Sequence, residues 1–395
     1  MRTEYETIGT HLDRCRVSRR DVLEFCGKLM VAAPFGLALT DFASAEAVAQ
    51  EVAKARRLSV IWLHFQDCTG CTETLLRTSK PDLAELILHL VSLDYHETVM
   101  AAAGHQAEAA LADAMRENAG KYVLVVEGSI PTRDQGVYMK LAGRPALDVL
   151  RDVSAGAAAV IAMGSCASWG GLPSTPPDQT GAVGVDALVH GKPIVNIPGC
   201  PPNPYTLLGV VLQYALSGTL PALDAEKRPK FAYDRTIHEH CPRRAHFDAG
   251  QFAREFGDAG HRQGWCLYML GCKGPVTHAG CSTRHFNEIP DVWPIGIGAP
   301  CAGCTERNVA FKVPMFEKAG IPHPTPPDTY PPIESPQGQV DPLSTGLVGL
   351  AIGAAAGGTY MAAKRFSRRE DDENVPEGTQ ISPPADDTAA PGDEP

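Results

Sequence analysis

The chain has 395 residues, which is enough for two domains with hydrophobic cores of their own. Its formal net charge is −11, but residues 370–395 alone hold nine acidic side chains and no Lys or Arg, which leaves about −2 on the rest. A nucleic-acid-binding protein should show a basic face, so this balance argues against that class and predicts no nucleic-acid partner. Twelve cysteines are too few for a disulfide scaffold of this length, so their clustering matters more than their number.

Residues 1–47 have the layout of an export signal. Arg19 and Arg20 precede a short apolar stretch, and small residues near Ala43–Ala47 offer a cleavage site, which is typical of a twin-arginine signal. The alternative interpretation is a basic amphipathic helix. Cleavage would remove Cys15 and Cys26 and leave ten cysteines. Because the twin-arginine route carries proteins already folded, the signal favours a metal centre that is built before export.

Residues 56–232 alternate between strand and helix patterns. Short, nearly continuous apolar runs are typical of buried parallel strands, and they lie at 58–65, 121–128, 158–164 and 192–199. Helical patterns lie between or after them, at 81–93, 105–118 and 204–217. This alternation predicts an α/β domain with a doubly wound, flavodoxin-like parallel sheet, whose ligand site lies beyond the carboxyl ends of the strands.

Cysteines follow three of the four predicted strands. Cys68 and Cys71 come after the first strand, Cys166 after the third and Cys200 after the fourth, whereas the second ends at Glu127. Because the carboxyl ends of parallel strands meet at one rim, these four thiols should converge. The sequence therefore predicts a four-thiolate metal site here in preference to an isolated thioredoxin-like C-x-x-C pair.

Residues 233–320 lack strand patterns and contain the six remaining cysteines. His238 and Cys241 are three residues apart, on one face of a helical turn, and with Cys266 and Cys272 they supply three thiolates and an imidazole. Cys281, Cys301 and Cys304 supply three more thiolates. These two sets and the four-thiolate set together use all ten cysteines that would remain after export.

The three sets differ in which metal they suit. Zinc explains four cysteines, or three cysteines with a histidine, but three thiolates alone less well. Iron–sulfur clusters accommodate all three sets, including a histidine in place of a thiolate. Structural zinc ions and five disulfides remain the alternatives, although the two cysteines of a C-x-x-C motif are poor disulfide partners for each other.

The C-terminal residues read as a linker, a membrane anchor and a tail. Residues 321–342 form a proline-rich connector. Residues 343–363 are uncharged and as a helix would span about 31 Å, one hydrocarbon core. Residues 364–395 begin with a basic stop, which the positive-inside rule assigns to the cytoplasm, and continue as an acidic tail expected to be disordered. A buried core helix is the alternative for 343–363.

Six motifs together resemble the small subunit of membrane-bound nickel–iron uptake hydrogenases: "CTGCTE", "GSCASWGG", "NIPGCPPNP", "TIHEHCPRR", "GCKGP" and "PCAGC". The resemblance implies a proximal 4Fe–4S cluster held by Cys68, Cys71, Cys166 and Cys200. It implies a distal 4Fe–4S cluster held by His238, Cys241, Cys266 and Cys272, and a medial 3Fe–4S cluster held by Cys281, Cys301 and Cys304. Pro294 stands where a fourth medial thiolate would otherwise be.

The resemblance also implies a function and partners. The nickel–iron site would lie on a separate large subunit, so this chain would hold no catalytic residue and would conduct electrons from hydrogen oxidation. The expected acceptor is a membrane b-type cytochrome or another quinone-linked protein. This chain itself is expected at the periplasmic face of the inner membrane. There are two alternative assignments. The first is a subunit akin to the quinone-proximal subunit of complex I, but it leaves the six C-terminal cysteines unexplained. The second is an exported protein whose fold is stabilised by structural zinc ions.

Overall fold

A five-stranded parallel sheet forms the centre of the structure, a computed structural model that describes residues 57–78, 91–284 and 292–321. Its strands are β1 (Leu58–His64), β2 (Val91–His96), β3 (Val123–Glu127), β4 (Ala159–Met163) and β5 (Ile194–Ile197). They lie in the order β2-β1-β3-β4-β5, and every neighbouring pair is parallel. This is the strand order of a flavodoxin-like sheet, so the predicted α/β class is confirmed for these residues.

Helices cover both faces of the sheet, and they are α1 (Gly70–Leu76), α2 (His105–Glu117), α3 (Ala146–Ala155), α4 (Gly164–Trp169) and α5 (Pro204–Ser217). Alternate residues of each strand point to opposite faces, so Val123 and Val125 pack with α5, whereas Leu124 and Val126 pack with α2 and α3. Short antiparallel pairs join Ile130–Pro131 to Ala182–Val183 and Lys140–Leu141 to Arg144–Pro145. The two apolar faces thus form two cores.

The predicted helices at 105–118 and 204–217 are confirmed as α2 and α5. The sequence sets the limits of α5, because the Asn203 side chain accepts from the N–H of Tyr205 and Gly218 ends the helix in a left-handed conformation. The prediction of a helix at 81–93 is wrong for 91–93, which begin β2, and 79–90 lie outside the described residues. Strand β2 is an edge strand, so polar residues such as Asp94 interrupt its apolar run.

From Lys230 onward the chain forms short helical segments, and a third, smaller core includes Ile237, Leu267 and Trp293. These segments are α6 (Lys230–Tyr233), α7 (Arg244–Asp248), α8 (Ala259–Arg262) and α9 (Cys281–Arg284), with 3-10 turns at Ile237–His240, Tyr268–Leu270 and Gly274–Val276. Further 3-10 turns lie at Arg133–Gly136, Leu172–Ser174 and Val185–Ala187. Within 233–284 and 292–321 only isolated bridges occur in place of strands, which confirms the predicted change of character.

Ion pairs tie this C-terminal region to the α/β part. Arg228, which is almost fully buried, pairs with Asp224 at 2.7 Å and with Glu306 at 2.8 Å. Arg307 pairs with Asp186 at 2.6 Å and with Glu226 at 2.7 Å. The segment that carries Cys301 and Cys304 is therefore held against the sheet by charge as well as by packing.

The predicted signal (1–47), membrane helix (343–363) and tail (364–395) lie outside the described residues, as does the linker beyond residue 321. In the three described ranges, no helix combines the length and the apolar character that crossing a bilayer requires.

Candidate metal centres

The four proximal thiols meet at one rim of the sheet. Cys68 and Cys71 follow β1, Cys166 lies in α4 directly after β4, and Cys200 follows β5. Burial raises the pKa of the Cys71 thiol well above its usual value, and Glu127 and the other three thiols raise it further. Burial also raises the pKa of Cys166 to about 11, with Cys200 and Cys68 adding to the shift. The predicted convergence of these four thiols is therefore present in the structure.

Two glycines leave the space that these sulfurs occupy. Gly164 has φ +88°, and a Cβ added there would lie 2.5 Å from the Cys71 sulfur. Gly171 has φ +51°, and its added Cβ would lie 2.6 Å from the Cys166 sulfur. Both distances are shorter than a van der Waals contact, so a larger residue at either position would displace a candidate ligand.

We expect Gly164→Ala to lose most of the proximal centre, because its methyl group would overlap the Cys71 sulfur. The matched control is Gly191→Ala, which has φ +72° and no atom within 4 Å of the added Cβ. Both variants incur the left-handed backbone cost of about 1–2 kcal/mol, but only the first crowds a thiol. Iron and acid-labile sulfide assays on the purified proteins test this, and a full iron content in Gly164→Ala would contradict it.

Glu127 lies beneath the proximal thiols and is almost fully buried. Its carboxylate accepts hydrogen bonds from Cys71 N at 3.0 Å, from Thr72 Oγ1 at 2.6 Å and from Trp62 Nε1 at 3.2 Å. Burial raises the pKa of Glu127, and the hydrogen bonds from Thr72 and the charge of His64 oppose the shift. Glu127 therefore fixes the start of α1 and with it the position of Cys71.

The distal set begins in the 3-10 turn Ile237–His240. A capping box between Thr236 and Glu239 fixes this turn, and Cys241 follows it directly. The His238 ring is buried, and within the described residues its Nε2 has no hydrogen-bond partner. Burial and the positive charge of Arg244 lower the pKa of His238 to about 4, so the imidazole is neutral at pH 7 and offers a lone pair.

The two other distal thiols lie close to Cys241. Burial raises the pKa of Cys241 to about 12, and the thiols of Cys272 and Cys266 raise it further. Cys266 behaves in the same way, with its pKa raised to about 11 by burial and also by Cys272. The structure thus brings these three thiols together. His240, the other histidine of the same turn, is less buried than His238.

The three medial thiols line a cavity of about 590 Å³. Cys281 lies at the start of α9, and Cys301 and Cys304 lie in the loop that follows Pro300. Burial raises the pKa of Cys281 and of Cys304 to about 12 each. Pro294 lines the same cavity as these three thiols.

Close contacts join the medial set to both other sets. The Cys301 N–H donates to the distal sulfur of Cys272 at 3.4 Å. The proximal Cys200 lines the same cavity as the three medial thiols. Ser165, beside the proximal Cys166, donates to the carbonyl oxygen of Cys304. The medial thiols therefore lie between the proximal and the distal thiols.

The donor sets fit iron–sulfur clusters better than single zinc ions. All ten cysteines of the described residues are free thiols. Tetrahedral zinc with Zn–S bonds of about 2.3 Å would hold its sulfurs about 3.8 Å apart. Among the described residues, however, the only three candidate ligand atoms that all lie within 4.8 Å of one another belong to His64, Asp67 and Glu127. A cluster binds each thiolate to a different iron atom, so it suits wider spacing, and the unpartnered His238 nitrogen suits a ligand role.

Sequence reasoning missed residues that act through tertiary contacts. In the sequence, Glu127 stands at the end of a predicted strand, and no pattern there indicates a role for it. Sequence patterns also give no role to Ser165 or to the hydrogen-bonded His64–Asp67 pair. The position of Ser165 next to Cys166 offered the only local signal. No sequence pattern indicates that Ser165 reaches Cys304, which is 139 residues further along the chain.

Two family models match the chain. One, described as the NADH ubiquinone oxidoreductase 20 kDa subunit, matches residues 68–214 and includes the proximal thiols. The other, which describes the C-terminal region of the NiFe/NiFeSe hydrogenase small subunit, matches residues 233–317 and includes the six remaining described cysteines. The second match covers the six C-terminal cysteines, which an assignment to the complex I subunit alone would leave unexplained.

Individual proteins agree with this assignment. The hydrogenase-2 small chain of Escherichia coli K12 is 46% identical over 360 residues, 91% of this chain and 95% of that protein. The quinone-reactive Ni/Fe-hydrogenase small chain of Wolinella succinogenes is 45% identical over 309 residues, 78% of this chain and 85% of that protein. A solved chain of the Ni-Fe-Se hydrogenase from Desulfomicrobium baculatum has a TM-score of 0.62 and 32% identity, with 67% of this chain and 100% of that chain covered. The resemblance inferred from the motifs is confirmed, and the chain belongs to the family of nickel–iron hydrogenase small subunits, which pair with a large subunit that carries the hydrogen-activating site.

Proposed function

We propose that this protein conducts electrons from hydrogen oxidation in the large subunit through three iron–sulfur clusters to an acceptor in the membrane. The proposed ligands are Cys68, Cys71, Cys166 and Cys200 for a proximal 4Fe–4S cluster, Cys281, Cys301 and Cys304 for a medial 3Fe–4S cluster, and His238, Cys241, Cys266 and Cys272 for a distal 4Fe–4S cluster. The bound clusters would supply one-electron chemistry. The protein supplies thiolates, an imidazole and a water-poor surrounding.

The observation that carries the proposal is the continuity between the thiol sets. Cys200 lines the same cavity as the three medial thiols, and the Cys301 N–H donates to the sulfur of Cys272. Centres bound to these sets would therefore be neighbours in the order proximal, medial, distal. Separate structural sites would have no need for such links, whereas an electron pathway requires close spacing.

Electrons would enter at the proximal end. Cys68 and Cys200 are exposed at the rim of the sheet, whereas Cys266, Cys272 and Cys301 are buried. An exposed thiol rim at the carboxyl ends of the strands suits a partner that covers it and brings its own redox site near. We therefore propose this rim as part of the contact with the large subunit.

The acceptor proposed here is a membrane b-type cytochrome or another quinone-linked protein. Support comes from the uncharged segment 343–363 with its basic flank, and from the quinone-reactive relative in Wolinella succinogenes. The proposed location is the periplasmic face of the inner membrane, reached by the twin-arginine route.

The proposed division of the chain is a signal (1–47), a cluster-bearing α/β domain (56–232), a second cluster domain (233–320), a linker (321–342), an anchor (343–363) and a tail (364–395).

Spectroscopy of the complex, purified anaerobically through a tag on this chain, tests the proposal. We expect a co-purifying large subunit, iron with acid-labile sulfide, and broad visible absorption. Electron paramagnetic resonance (EPR) should show a three-iron signal in the oxidised protein and 4Fe–4S signals after reduction with hydrogen. Purification of a colourless protein that contains zinc, or of a protein whose cysteines form disulfides, would contradict the proposal.

A further inference from the structure

Lys273 is a buried cation between two of the thiol sets. It follows the distal Cys272, and its side chain is fully buried. Its main-chain N–H donates to the carbonyl oxygen of the medial Cys301 at 2.8 Å. Its aliphatic stem runs past Gly303, where an added Cβ would lie 3.3 Å from the Lys273 Cβ. Lys273 therefore contacts the ligand loops of both sets.

The ammonium group is held by neutral partners. Lys273 Nζ donates to the carbonyl oxygens of Pro314 at 3.0 Å and Met315 at 2.8 Å. Within 57–78, 91–284 and 292–321 it forms no ion pair with a carboxylate, and the charges that act on it are the Cys301 and Cys272 sulfurs and the exposed Glu317. Burial lowers the pKa of Lys273, and these three groups oppose that shift. Carbonyl dipoles fix the ammonium but do not cancel its charge.

We propose that Lys273 is an electrostatic tuning residue that raises the reduction potentials of the medial and distal clusters relative to the proximal one. Each cluster gains one electron on reduction and becomes more negative by one charge, so a fixed cation nearby stabilises the reduced form. A buried charge is screened little by salt, so the effect persists at physiological ionic strength. The proximal set lies on the far side of the medial set and should feel it least. The inference rests on the proposed function, because it requires clusters at both sets.

Potentiometric EPR titration of the purified heterodimer tests this inference. Lys273→Gln removes the charge but keeps an N–H donor for the two carbonyls, and Lys273→Met provides a second neutral variant. We expect the medial and distal midpoint potentials to shift negative in both, with the proximal potential unchanged. Lys273→Arg keeps the charge and should stay near the wild type.

The matched control is Lys192→Gln, which changes the net charge by the same amount. Lys192 Nζ donates to the Ala157 carbonyl oxygen at 2.9 Å, at the end of the sheet opposite the thiol rim, so none of the three potentials should move. Unchanged medial and distal potentials in a neutral Lys273 variant with all clusters present would overturn the inference. Loss of the clusters from both neutral variants would assign the ammonium to folding and overturn it too. If the wild-type protein itself lacks the three signals, the proposed function has failed instead.

Discussion

We expect Cys71→Ala to lose the proximal cluster and to stop hydrogen-driven electron transfer through the protein. Glu127 accepts a hydrogen bond from the Cys71 N–H and so fixes this candidate ligand in place, and an alanine side chain offers no sulfur to bind iron. Electrons from the large subunit would then have no first acceptor. Hydrogen-dependent reduction of a dye should fall to the background rate, and iron and acid-labile sulfide should drop by the share of one cluster.

The control for Cys71→Ala is the double variant Cys15→Ala and Cys26→Ala. Both of these cysteines lie in the proposed signal, so their loss should leave iron, sulfide and activity at wild-type levels. A Cys71→Ala protein with a complete iron and sulfide content would refute the ligand assignment. Circular dichroism of the variant shows whether the fold itself survives the substitution.

Arg228→Met should be the most destabilising substitution outside the thiol sets. The Arg228 side chain is 5% exposed, and its removal leaves Glu306, which is 14% exposed, without its guanidinium partner. Breaking a buried pair from one side costs about 3–5 kcal/mol, which corresponds to a midpoint temperature lowered by roughly 6–20 °C. Arg228 also donates to the Thr305 carbonyl oxygen, so the loop of Cys301 and Cys304 should loosen with it.

Thermal unfolding followed by circular dichroism measures this effect. Arg151→Met is the matched control, since Arg151 is 70% exposed and its pair with Asp148 lies at the surface, where such pairs contribute little. Adding Glu306→Gln to Arg228→Met should recover part of the loss, because the buried carboxylate would no longer be charged. Equal midpoints for Arg228→Met and Arg151→Met would show that the buried network does not hold the two regions together.

The sequence predicted the fold class and the grouping of thiols because both depend on local patterns. Apolar runs mark buried parallel strands, and parallel strands bring their carboxyl ends to one edge, so Cys68, Cys166 and Cys200 had to meet. The sequence did not predict strand β2, because it is an edge strand that contains polar residues such as Asp94. These polar residues interrupt the continuous apolar run that marks a buried strand.

The remaining features of the site could not be predicted because they arise from contacts between distant segments. The hydrogen bond from Ser165 to the Cys304 carbonyl oxygen joins two domains as the sequence divides them, and nothing near either residue encodes it. The same holds for Lys273, whose neighbours in sequence suggest a turn. Its contacts with Pro314 and Met315 appear only once the chain has folded.

Assembly of the proximal rim depends on completion of the parallel sheet. Its thiols come from positions between residues 68 and 200 and from three different strands, so they assemble only when the parallel sheet has formed. Parallel sheets depend on contacts far apart in sequence and form slowly. A chain with an unfinished sheet would therefore offer no complete binding site. Only a chain whose strands are correctly paired would bind the proximal cluster.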